Sequence, residues 1–80
     1  MDLKIDLLSS NLIVPQKKNF MNIWVNMWGI EELGEKRLKF LADLFCAFPQ
    51  AARLMINVNE DLKEQLRVFR VVHNVQYLEK

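Results

Sequence analysis

Between Asn19 and Ile30 the chain reads NFMNIWVNMWGI, twelve residues without a charge. The stretch holds both tryptophans and two of the four methionines, so the rest of the chain must be arranged to cover it. At the roughly 100° per residue of a helix, Phe20, Ile23, Trp24, Met27 and Trp28 share a face that Met21 and Val25 widen. Asn19, Asn22, Asn26 and Gly29 then form an uncharged polar strip. This pattern predicts a helix over about 16–28, opened by Pro15 and stopped by Gly29. An ordinary surface helix has a narrower apolar stripe and charges opposite it. A helix with an apolar arc this wide has one flank for its own core and another for a partner.

The segments on either side fill in a helical reading. Residues 2–8 alternate, with Asp2, Lys4 and Asp6 on one side and Leu3, Ile5 and Leu7 on the other, which fits a short half-buried strand or an extended arm. Residues 1–14 are therefore an arm, ending at Leu12-Ile13-Val14 before Pro15. Over 35–48, Leu38, Leu41, Ala42, Leu44, Phe45 and Phe48 recur at helical spacing, and Glu32–Lys36 and Glu35–Lys39 stand at i,i+4 in the favourable order. Pro49 ends that helix and suits the first turn of another over 50–57. Asn59 is a ready N-cap before Glu60 and Asp61, opening a last helix over 60–77. Its face carries Leu62, Leu66, Phe69, Val72, His73 and Gln76. The valine-rich run Arg67–Leu78 also has strand character, but its alternation fails at Val71-Val72. The expected fold is all-α, a single domain over 1–80 with three to four helices and an extended N-terminal arm. The runner-up is α+β with a short N-terminal strand.

Composition narrows the function classes. Eleven basic and ten acidic residues leave a charge of +1, with neither the basic excess nor the stripe usual in nucleic-acid binders. Half of the chain, 51%, is apolar, and few chains of this size can hide so many large side chains alone. The single cysteine, Cys46, has no internal disulfide partner, and no apolar run reaches the roughly 20 residues of a membrane span. The expectation is a soluble, cytoplasmic protein.

No constellation of catalytic type stands out. His73 is the only histidine and continues an apolar helix face; Cys46 sits between Phe45 and Ala47. Metal binding needs several Cys, His or clustered carboxylates at fixed spacing, and phosphate loops need more glycine than the two present. An enzyme, a cofactor, a metal and a small-molecule substrate are therefore not expected. The expected function is a small non-enzymatic protein–protein interaction module, a regulator, adaptor or chaperone-like subunit, docking on another protein or on its own copy, with a homo-oligomer expected. Its partner-binding residues would be Met21, Asn22, Trp24, Val25, Asn26 and Trp28. The alternative is DNA or RNA binding through Lys63, Arg67, Arg70 and Asn74 on the last helix, where Gln50–Leu66 resembles a helix-turn-helix in outline. Arg53 stands where that motif wants a small residue, and Lys63 where it wants an apolar one.

Overall fold

The computed structural model describes residues 1–16, 19–68 and 74–78, and it is not a helical bundle. Four strands and two helices, alternating from β2 onward, are present among these residues: β1 (Asp2–Asp6), β2 (Asn22–Asn26), α1 (Gly34–Ala47), β3 (Ala52–Ile56), α2 (Glu60–Val68) and β4 (Val75–Leu78). The strands form one sheet in the order β1-β2-β3-β4, and every neighbouring pair is parallel. Strands and helices in alternation make this an α/β arrangement, which replaces both the all-α bundle and the α+β runner-up.

A sheet that adds parallel strands in one direction, with crossovers of one hand, carries all its connections on one face. The core shows which face that is. Ile23, Val25 and Met27 from β2 and its end, and Met55 from β3, cluster with Leu38, Leu41, Leu44 and Phe45 of α1 and Leu62 and Leu66 of α2. The link from β1 to β2 has no helix among its described residues, yet its Leu12 and Val14 pack against the same cluster. Arg37 of α1 anchors the start of that link by donating from Nε to the Leu7 carbonyl at 3.2 Å.

Physical causes for the departures from the helical reading lie in single residues. From Asn22 to Met27 the side chains alternate between half-buried and buried, a period of two. Isoleucine, valine and tryptophan suit a pleated surface, and ladders on both sides give β2 the backbone partners a helix would have supplied internally. The helix expected over 16–28 is this strand, residues 17 and 18 lying outside the described residues. The helix expected over 50–57 is β3, where Leu54 and its neighbour Met55 are both buried, on opposite faces, so no period shows. Of the helix expected over 60–77, Glu60–Val68 is present as α2, whereas Val75–Leu78 is β4, preceded by Asn74 with φ 56°. Residues 69–73, including Phe69, Arg70, Val72 and His73, lie outside the described residues. The helix over 35–48 is present as α1, one residue earlier at each end. Asn59 caps α2 as its position suggests, its Oδ1 accepting the Leu62 N–H at 2.8 Å.

Candidate interaction face

The helices cover one side of the sheet, and the strand registers lay out the other. Asp2, Asn22 and Ala52 form one row, Lys4, Trp24, Leu54 and Gln76 the next, and Asp6, Asn26, Ile56 and Leu78 the third. Charge is confined to β1, the first strand of the sheet. Trp24 stands near the middle, and Leu54 beside it is only 9% exposed, although it lies outside the helix-side core cluster.

Hydrogen bonds fix the tryptophan's surroundings. Trp24 Nε1–H donates to Asp2 Oδ2 at 3.1 Å and Asn22 Nδ2 donates to Asp2 Oδ1 at 2.9 Å, so one carboxylate on β1 holds two side chains of β2. These bonds, the one from Asn22 foremost, favour the ionised form and lower the Asp2 pKa below its ordinary value. At the far end of β2, Asn26 Oδ1 accepts from Asn57 Nδ2 at 2.8 Å and from the Trp28 N–H at 3.0 Å. Asn57 has φ 59°, a left-handed conformation asparagine tolerates better than most residues. The amides flanking Trp24 are thus tied into the sheet, and the indole is tethered at its polar edge. Beside it runs an open groove of about 450 Å³, lined by Asp2, Lys4, Ile5, Asp6, Trp24, Asn26 and Ile56.

The six residues expected to bind a partner do not share one surface. Asn22, Trp24 and Asn26 are together on the open face. Val25 points the opposite way and is fully buried in the core. Met21 and Trp28, 71% and 66% exposed, flank β2 at its two ends. Asp2, Leu54 and Ile56 belong to the face and were not singled out in the sequence. A signal was available: polar residues fill the even positions of 2–6, and of 22–26 except at Trp24, as expected of two strands each with one outward side.

The basic set is dispersed. Lys63 pairs with Glu60 at 3.5 Å and sits 5.2 Å from the centre of the Tyr77 ring, and Arg67 pairs with Glu64. Arg70 lies outside the described residues, and Asn74 directly precedes β4 and is not part of α2. Cys46 is exposed on α1. Among the described residues no group of three or more His, Cys, Asp or Glu is placed to hold a metal ion, and no helix is long and apolar enough to cross a membrane.

Fold and face together define an α/β domain with a parallel sheet that, among the described residues, is covered by helices on one side. No known family, curated protein or solved structure matches the chain.

Proposed function

We propose that this chain is a small, non-enzymatic protein–protein interaction module that docks a partner protein on the open face of its sheet. One observation carries the reading. Parallel sheets occur almost only with both faces covered, whereas the described elements cover one face and leave Trp24 in the middle of the other, with Ile56 and Leu78 near it. Tryptophan is enriched at the energetic centres of interfaces, and an indole already held by Asp2 has little conformational freedom left to lose on binding. A cytoplasmic setting suits the lone exposed thiol of Cys46.

The test is a photo-crosslinking residue at Gln76, exposed on the open face, compared with the same residue at Lys39, exposed on the helix layer. Protein adducts at position 76, absent at position 39 and lost on Trp24→Ala, are the expected result. Equal adducts at both positions, or adducts indifferent to Trp24→Ala, would overturn the reading.

A further inference from the structure

The outer edge of β1 carries an inference independent of the open face. In a strand, the peptide groups of successive residues point to opposite edges. Leu7 N–H donates to the Asn26 carbonyl at 3.0 Å, so the odd residues Leu3, Ile5 and Leu7 turn their peptide groups toward β2. Asp2, Lys4 and Asp6 turn theirs away from the sheet, where no described strand pairs with them. One of these outward groups is already engaged: the Asp6 carbonyl accepts the Ser9 N–H at 3.1 Å. The turn after β1 thereby closes the far end of the edge and leaves the peptide groups of Asp2 and Lys4 for pairing.

From this edge we infer that β1 pairs antiparallel with β1 of a second copy, joining two sheets into one of eight strands. Three two-fold registers are conceivable, centred on Leu3, Lys4 or Ile5. Centring on Lys4 would oppose two lysines and would need the engaged Asp6 carbonyl. Centring on Ile5 needs that carbonyl as well. Centring on Leu3 uses only Asp2 and Lys4, and it sets Asp2 opposite the partner's Lys4 twice over by symmetry. Opposite charges directly across a ladder are favourable and like charges are not. A lysine in the middle of an edge strand deters pairing with arbitrary strands; here the same chain supplies the carboxylate that accepts it. On the helix side the two-fold brings Leu3 against the partner's Leu3, and Leu3 and Ile5 are only half-buried in the single copy. The charge pattern and the engaged carbonyl therefore select a second copy, in one register, as the occupant of this edge.

Two measurements test it. Sedimentation equilibrium of the full chain should give a mass rising with concentration from 9.5 kDa toward twice that value. Lys4→Asp should weaken the association about tenfold or more, and Asp2→Lys combined with Lys4→Asp should recover it. Register is read by mild oxidation of Leu3→Cys, Lys4→Cys and Ile5→Cys, each combined with Cys46→Ser. Directly opposed residues that do not share a hydrogen-bonded pair have Cα atoms about 4.5 Å apart, within disulfide reach. Only Leu3→Cys should therefore form a linked dimer readily, about tenfold faster than the others. A mass fixed at one chain at all concentrations, indifference to Lys4→Asp, or faster linkage at position 4 or 5 would overturn the proposal. Any of these leaves the open-face reading standing, because that reading is tested at positions 24 and 76.

Discussion

Truncating Ile23 to alanine tests the strand geometry of the uncharged stretch more sharply than any change at its tryptophans. Ile23 is fully buried between the sheet and the helices, while Trp28, five residues on, is 66% exposed. Removing three carbons from a buried site costs about 0.8 kcal/mol for each, plus a cavity term, which gives roughly 3 kcal/mol within the usual span of about 2–5. A chain of this length has a total stability of roughly 4–12 kcal/mol at 0.05–0.15 per residue. Ile23→Ala should therefore lower the urea midpoint strongly at constant m and lower Tm by roughly 12–24 °C. Trp28→Ala should stay within about 0.5 kcal/mol, as exposed positions do. In a helix over 16–28, Ile23 and Trp28 would share a buried face and both would be costly. Equilibrium urea unfolding followed by circular dichroism separates the cases. Trp28→Ala proving as costly as Ile23→Ala would refute the parity of β2.

Substitutions at four further positions probe local devices. Gly29 has φ +82°, and an added Cβ would lie 3.0 Å from Leu8 Cδ2; Gly34 has φ +76° with nothing within 4 Å. Both alanine variants should lose about 1–2 kcal/mol to left-handed strain, with Gly29→Ala the more destabilised in urea melts; equal losses would dismiss the Leu8 contact. Gln65 Oε1 accepts the Leu33 N–H at 3.0 Å, standing in for the side-chain cap that α1 lacks. Gln65→Ala should cost about 1–3 kcal/mol and speed hydrogen exchange at the Leu33 amide, whereas Gln65→Glu, which keeps an acceptor oxygen, should slow it again. The lowered Asp2 pKa means that the stabilisation from its bonds is present above its ordinary value of 3.8 and is lost as pH falls through the lowered folded value. The Trp24 indole N–H resonance should shift with a midpoint below 3.8, and Asp2→Ala should abolish that titration; a midpoint at or above the ordinary value would count against the hydrogen-bonded carboxylate.

Legibility in the sequence follows from how many faces of an element are buried. α1 has one buried stripe and an exposed outer side rich in charged residues, so its period shows. β1 is likewise one-sided, and Asp2, Lys4 and Asp6 mark its outward residues. β2 misleads because Trp24 occupies the open face between Ile23 and Val25 of the core. Three consecutive apolar residues then imitate a broad helical arc, and outward amides in place of charges remove the contrast that would expose the alternation. β3 is hidden for a related reason, with Leu54 and Met55 buried on opposite sides. Part of the interaction face was readable all the same. Trp24, Asn22 and Asn26 stand out by type, but Asp2 joins them only through a register twenty residues long, which local periodicity does not encode.

The edge and the face have a joint consequence. A two-fold between antiparallel β1 strands of one continuous sheet keeps both open faces on the same side. The two Trp24 side chains would then be separated by three interstrand spacings across the sheet, about 14 Å at about 4.8 Å each, and by two residues along it, about 7 Å, or roughly 16 Å in all, on a surface twice as wide as one copy presents. A partner lying across the seam would contact both indoles and would bind the dimer more tightly than the single copy. By linkage, such a partner raises the apparent dimer affinity by the same factor by which dimerisation raises its own. Lys4 itself lines the open face beside Trp24, so the diagnostic is how crosslinking yield at Gln76 varies with protein concentration, in the native chain and in Lys4→Asp. A yield that climbs with concentration in the native chain and stays low in Lys4→Asp places the partner across the seam. A yield that is the same in both confines it to the face of one copy.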